Sequence, residues 1–505
     1  MIRTAVTLDR TSWSMLAVAC VAAIAVGILT AATSPLVPAA AIAAVVLIGA
    51  IWARPILGIA FFVAIVAIVP FGVIPIPLAG AQLTFLDAIL IATFSAVIGR
   101  VAFNRWHLPV GPAGQALVAF VLIAGAAFVA GGVSTPVPPE LIRRFGKLLA
   151  SLLFFLIARA LLTSEARLTS LTRWLIFAGA VQGALGAALM ALSPLNQLTL
   201  LSRLQVIGYP VTNVLRYVPG PNNTYTDQLR AIGTSVDPNV FGGTLMLALA
   251  LTVVQWASPK PVVPKLVLVG LALPIAAGVL LSLSRASWLG LAAGLLLIGA
   301  ISYRRILALA ALFGLVLLVS PIGQEVIARF ISGLSTADRA TAFRVGEYGN
   351  ALTLLQRYPL LGIGFGVSPD IDVTAGVSSV YLLVAEQTGL LGLGAFVTAL
   401  VATWWIGFRR LRASPESRLK GIRAAFLAAL SGALVAGLLD HYFANQAFPH
   451  AVALFWLYGA GLVAASELGR LRQGQGEPER AAQPRPAAFG ANGPAVQRHQ
   501  VMRNR

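Results

Sequence analysis

The chain is expected to fold as an all-α polytopic membrane protein. Of its 505 residues, 58% are hydrophobic and only 10% are charged, and its mean hydropathy is +0.87. A soluble domain carries about 25% charged residues. Apolar runs long enough to cross a bilayer recur along nearly the whole length. Most Lys and Arg fall in alternate short loops, the distribution that cytoplasmic loops show.

The spans expected are 13–33, 36–52, 56–71, 84–99, 112–132, 147–163, 169–192, 239–257, 263–283, 286–302, 304–322, 379–406, 424–440 and 449–468, giving about 12–14 transmembrane helices. Arg3 and Arg10 precede an apolar run too long for a signal peptide, so the first span is expected to be a retained helix. With the N-terminus cytoplasmic, the inner loops carry Arg54, Arg100, Arg105, Arg167, Arg173, Lys260, Lys265, Arg304, Arg305 and the basic stretch from Arg409 to Arg423. The C-terminus then also lies inside, and the residues up to 468 form a single transmembrane domain. Residues 469–505 are rich in Gln, Arg, Pro and Gly without apolar periodicity and read as a disordered cytoplasmic tail. The single cysteine, Cys20, excludes an intramolecular disulfide.

Two connections on the outer side are long, 193–238 and 323–378, and long loops in a compact membrane protein are usually functional. The first contains Pro210, Pro219, Gly220, Pro221 and Asn222-Asn223, which suit turns, and ends in Asp237-Pro238-Asn239. Asp as N-cap with Pro at the first helical position signals a helix start, whose backbone N–H groups are expected to be open to an anion. The second loop contains a helical stretch from about 340 to 357, closed by Tyr358-Pro359. The glycines Gly362, Gly364 and Gly366 follow; they lack a preceding strand and read as a flexible segment.

The net charge of +19 does not gather into one patch, so nucleic acid is not an expected partner; the excess suits anionic membrane lipids. His107, His441, His450 and His499 are scattered, and no Cys cluster or Walker motif exists, so neither a metal site nor a cofactor is expected. What remains is a set of arginines on the side where topology does not ask for them: Arg143, Arg144, Arg203, Arg216, Arg230, Arg285 and Arg344. Guanidinium forks bind phosphate oxygens in bidentate geometry and stay charged at every relevant pH. Arg285 sits in the tight turn Leu283-Ser284-Arg285-Ala286-Ser287 between two spans, where an ionisable group is costly and therefore a functional candidate. The competing reading is that these arginines snorkel or pair with outer carboxylates such as Glu325, Asp338, Glu347, Asp370 and Asp372. Asp87 and Glu386, near span ends, are either structural polar groups or cavity lining, with Asp87 read as structural. Asp440-His441 reads as a polar pair at a helix end rather than a catalytic dyad.

Several stretches, in order, resemble the O-antigen ligase superfamily, whose members include O-antigen ligases and polymerases. They are Gly233 to Asn239, Leu283 to Ser287, Arg344 through Pro359 to Gly366, and Val380 to Gly392; the resemblance spans roughly 130–465. One departure stands out: where family ligases carry a His-Asn pair before the Glu386 helix, this chain reads Ser378-Ser379. A serine hydroxyl binds but does not act as a base near neutral pH.

The resemblance implies a metal-independent glycosyltransferase of the cytoplasmic (inner) membrane. It would move a glycan from a polyprenyl-diphosphate-linked donor, such as undecaprenyl diphosphate, to a sugar or lipid acceptor on the outer face during cell-envelope polysaccharide biosynthesis. Arg285, Arg344 and Ser378 are then the expected catalytic residues. Arg230, Asn239, Arg216, Arg143, Arg144 and His441 are expected to bind substrate. The alternatives are a transporter or flippase of lipid-linked cargo, and a non-catalytic member lacking the usual histidine. A transporter should show related halves and polar groups near the midplane, and no internal repeat is visible.

Overall fold

The computed structural model describes residues 36–74, 83–103, 105–210, 212, 214–219, 225–332, 339–370, 372–409, 411–412 and 414–482. The helices are α1 (Leu36–Ala53), α2 (Ile56–Ile68), α3 (Phe85–Ala102), α4 (Gly111–Ser134), α5 (Pro139–Leu161), α6 (Glu165–Met190), α7 (Pro194–Ser202), α8 (Pro238–Ala257), α9 (Lys265–Leu281), α10 (Arg285–Ile301), α11 (Arg305–Val319), α12 (Pro321–Ser332), α13 (Arg339–Arg357), α14 (Val380–Phe408), α15 (Arg418–Ala436) and α16 (Pro449–Ala482). Each expected span from residue 36 onward falls on one of them. The span at 13–33 and the tail beyond 482 lie outside the described residues, and α16 runs past the tail boundary at 468. Among the described residues seven helices are long and apolar enough to cross a membrane and five more are apolar but shorter, which makes this a multi-pass membrane protein.

The centre of the bundle is α8, α15 and α16, whose apolar windows are 83–89% buried, while α4 at the rim is 22% buried. Apolar side chains on the rim face outward, among them Val45, Val129, Leu266 and Leu273, as lipid contact requires. In lipid, helices hold together by close packing of small residues rather than by a hydrophobic drive. The α10–α15 contact shows this: a Cβ on Gly290 would stand 2.5 Å from the Gly432 carbonyl.

Two cations assigned to one side by alternation, Arg100 and Arg173, meet each other's connections, and Arg159, near the end of a span, joins them there. Arg100 bonds the Trp52 carbonyl, Arg173 Nε donates to Val262 O at 2.7 Å, and Arg159 joins Val110 O at 2.7 Å to Glu467 at 2.6 Å. This is the basic end. The loop-bearing end holds 193–238, 323–378 and the turn 437–448.

Two features of the loop-bearing end differ from expectation. The first loop is not a run of turns: it holds α7, a 3-10 turn (Arg203–Ile207) and an antiparallel hairpin of β1 (Arg216–Pro219) and β2 (Tyr225–Arg230). The strands are too short for period-two alternation to stand out from turn residues. Second, the glycine run is a packed clamp, not a flexible segment. α14 breaks at Gly389 (φ 63°, ψ −168°), and the backbone of 359–364 fills the break. Ile363 N donates to Glu386 O at 2.9 Å, Gly364 N to Gln387 O at 3.1 Å, and Leu390 N to Pro359 O at 2.8 Å. Gly362 sits at φ 66°, and a Cβ there would lie 2.3 Å from Glu386 O. The left-handed backbone alone costs a non-glycine residue about 1–2 kcal/mol. Gly362→Ala is therefore expected to lower the thermal midpoint of the detergent-solubilised protein. Gly394→Ala, on α14 itself with open space around its Cβ, should leave it level or raise it. Equal midpoints for the two variants would refute the clamp.

Candidate functional site

The site begins with three chain turns at the loop-bearing end. Ser284 N-caps α10, its hydroxyl accepting Ser287 N at 3.4 Å, so Arg285 stands in the first helical turn. Asp237 caps α8, its Oδ1 accepting Asn239 N at 2.8 Å and Val240 N at 3.2 Å. Both caps follow residues in the left-handed region, Leu283 (φ 51°) and Val236 (φ 64°). A bulky or β-branched residue held there marks a strained turn, and such strain concentrates at functional sites. The cap overturns one expectation: the donors at the α8 start are taken by Asp237 and are not open to an anion.

Asn239 instead positions an arginine. Arg230, at the end of β2, donates from Nη2 to Asn239 Oδ1 at 2.6 Å and from Nε to Ser282 O at 2.9 Å. These bonds tie the hairpin to both capped turns. Arg216 is exposed and pairs in register with Arg230 across the hairpin. Beneath, Gln182 Nε2 donates to Ser235 Oγ at 2.8 Å and Thr244 Oγ1 to Gln182 Oε1 at 3.2 Å, a buried network supporting the 233–237 turn.

The third turn, 437–448, carries Asp440, His441 and Tyr442. Asp440 is 5% exposed, and its Oδ1 accepts His441 N at 2.9 Å. Burial pushes its carboxyl above the usual range, His441 draws it down, Asp237 pushes it up and Arg344 draws it down. Asp440 thus feels the charges of Asp237 at the α8 start and of Arg344 on α13. Tyr442 is fully buried beside the same two carboxylates, its hydroxyl against Gly243, where a Cβ would lie 2.2 Å away. The His441 ring contacts Asn445 Nδ2 at 3.2 Å and lies parallel to Phe448, centroids 6.3 Å apart.

On α13, Arg344, Glu347, Tyr348 and Ala351 recur at three- and four-residue spacing and share one face. Glu347 Oε2 accepts Ser378 N at 2.9 Å; the Tyr348 hydroxyl sits 2.9 Å from Leu438 O and 3.3 Å from Ser378 O. Burial pushes the Tyr348 phenol up. Arg357 closes the helix with a fork on Asp372 (3.1 and 3.0 Å) and a contact to Asp370 at 3.0 Å.

Arg230, Asn239, Arg285, Arg344, Ser378 and His441 therefore sit on neighbouring turns of one end, joined through Asp237, Asp440 and Tyr348. Arg143 and Arg144 do not join them: both pair with Glu140 on exposed α5 turns, Arg144 Nε at 2.9 Å, and that pairing holds the Glu140 carboxyl low. Arg203 is exposed on the 3-10 turn. Asp87 forms a capping box with Thr84 and meets Lys147 at 2.8 Å, a structural role. Sequence reasoning missed Asp237 as a charge in the cluster, Asp440 as its buried centre, and Glu347 and Tyr348 as ties. The α13 spacing was the available signal for the last two.

Among the described residues no three His, Cys, Asp or Glu gather as a metal site would require. A family model described as O-antigen ligase matches residues 270–397, a quarter of the chain that includes Arg285, Arg344, Ser378 and Glu386. No curated protein matches the sequence.

Proposed function

We propose, from the O-antigen ligase match over 270–397, that this protein is a membrane glycosyltransferase moving a glycan from a polyprenyl-diphosphate-linked donor to a hydroxyl of a sugar or lipid acceptor. The observation that carries it is the gathering of Arg230, Arg285, Arg344 and Asp440 on adjoining turns at one end of an apolar bundle. In this reading the loop-bearing end is the outer face of the cytoplasmic membrane, and the basic end is cytoplasmic.

The chemistry follows from charge. The acceptor oxygen attacks the anomeric carbon as the bond from that carbon to the diphosphate oxygen breaks. The leaving polyprenyl diphosphate takes the electron pair, and Arg285, Arg344 and Arg230 stabilise the charge building on it. Diphosphate needs no general acid to leave. The acceptor proton goes to the Asp440 carboxylate, which stands in for the base that Ser378 does not supply. His441, one residue on and held by Asn445, steadies the ionised form of Asp440.

A transporter would use its interrupted helix to line a cavity near the midplane. Here the interruption at Gly389 is filled by the 359–364 backbone. The test is transfer in proteoliposomes carrying a polyprenyl-diphosphate-linked oligosaccharide and a panel of sugar and lipid acceptors. Acceptor-dependent loss of the lipid-linked glycan is expected. A protein that translocates the donor across the bilayer but never cleaves it would overturn the reading in favour of transport.

A further inference from the structure

Glu386 is unused by this chemistry, yet it is a buried carboxylate close to the site. It lies in the membrane-crossing helix α14 at 2% exposure. A carboxyl group there is costly and persists only with a task. Its Oε1 accepts the N–H of Gly376 at 2.7 Å, while Oε2 is buried with no hydrogen-bond partner among the described residues. Gly376 sits at φ 109°, a conformation that leaves the N–H aimed inward and that side chains rarely adopt.

From Gly376 the chain runs four residues to α14 and is tied on both sides. On one side, Ser378 N donates to Glu347 Oε2, and the Tyr348 hydroxyl lies against Ser378 O. On the other, Ser379 Oγ donates to Gly437 O at 3.3 Å, and Val380 N to Gly437 O at 2.8 Å and Asp440 O at 3.1 Å. The 376–379 strap therefore joins the face of α13 that carries Arg344 to the turn that carries Asp440. Glu386 fixes its free end. Its own backbone carbonyl also holds Ile363, so this one residue anchors both ends of the connection between α13 and α14.

We propose that Glu386 is a positioning residue: by anchoring Gly376 it holds the strap taut and so sets the placement of Arg344 against Asp440. Glu347 is its counterpart on α13. This rests on the transfer reading for its consequence in catalysis but not for the anchoring itself.

Two measurements separate these. The first needs no activity. In a Cys20→Ser background, Val377→Cys places a thiol at a strap position that is 2% exposed. Its labelling by a membrane-impermeant maleimide is expected to be slow, to quicken about tenfold in Glu386→Leu, as loss of a buried hydrogen bond allows local opening, and to stay slow in Glu386→Gln, whose amide oxygen still accepts the Gly376 N–H. Glu347→Ala, at a half-exposed position that leaves the bundle core intact, should also quicken it. Unchanged labelling in both Glu386→Leu and Glu347→Ala overturns the proposal, as does quickening in Glu386→Gln equal to that in Glu386→Leu.

The second measurement is the pH profile of transfer. Asp440 is faced by His441 and Tyr442 on its own turn, by Asp237 from α8 and by Arg344 from α13. If the strap slackens, Arg344 withdraws and the carboxyl titrates at higher pH. Glu386→Leu should therefore shift the profile in the same direction as Arg344→Ala, and Glu386→Gln should restore it. A uniform loss of rate with an unmoved profile overturns positioning. If the wild type transfers no glycan at all, the labelling result still decides the anchoring.

Discussion

Arg344→Ala is expected to lower kcat for glycan transfer about 10²–10³-fold with little change in the KM for donor, the loss seen when one preorganised donor to a developing anion is removed. The argument rests on where the charge appears. In the ground state the diphosphate already carries its negative charges and the other arginines bind it. In the transition state the bridging oxygen gains more charge as its bond to the anomeric carbon breaks. A guanidinium held at a low-dielectric boundary responds to that gain without reorganising. Arg344 meets the requirement because α13 presents it on the same face as Glu347 and Tyr348, both tied to the strap. Arg344→Lys should recover only part of the rate, since an ammonium is a point charge without the fork. Arg143→Ala is the control: its guanidinium is spent on Glu140 in an exposed pair, and transfer should be unaffected. Measurements at matched membrane levels decide it. An Arg344→Ala enzyme within a few-fold of wild type would remove this residue from the chemistry.

The bundle was legible in the sequence because the bilayer imposes a length and a sidedness that one chain records directly. Each span from 36 onward, and the α13 helix inside the second loop, followed from apolar run length, loop charge and the Tyr358-Pro359 stop. The arginines were legible for the complementary reason, that they violate the charge rule. What did not show is everything that depends on contacts between segments far apart in sequence. Gly362 looks like a loose joint until it is seen packed into the break at Gly389, with Glu386 O too close for a Cβ on Gly362 and Leu360 O too close for one on Gly389. Asp237 read as the N-cap from sequence, but that its one oxygen takes both Asn239 N and Val240 N, and so closes the helix start to an anion, is a side-chain geometry. Asp440-His441 read as a helix end because the Asp237 and Arg344 that give Asp440 its environment lie some hundred to two hundred residues earlier in the chain.

Asp440→Asn is expected to lower transfer about 10²–10⁴-fold, the usual contribution of a positioned general base, and to do so without weakening the fold. The base-competent form is the carboxylate. An unperturbed Asp ionises near pH 3.9, but burial and Asp237 push Asp440 up, against the pull of His441 and Arg344. Wild-type activity should therefore be low in acid and rise with pH through a limb above the ordinary carboxylate range. Asp237→Asn removes a repelling charge and should move that limb to lower pH; Arg344→Ala removes an attracting one and should move it higher. In Asp440→Asn the limb should vanish. Stability runs the other way. A carboxyl whose folded pKa is raised favours the folded state most in its neutral form, below its unfolded pKa, and that contribution is lost as pH rises through the folded pKa. At a pH above the activity limb, where Asp440 is ionised, the wild type carries a buried charge that the neutral amide of the Asp440→Asn variant lacks, so there the variant's thermal midpoint should equal or exceed the wild-type value. Lost transfer with kept or raised stability identifies Asp440 as a base held at a cost to the fold. Loss of both together would identify it as a structural residue of the 437–448 turn.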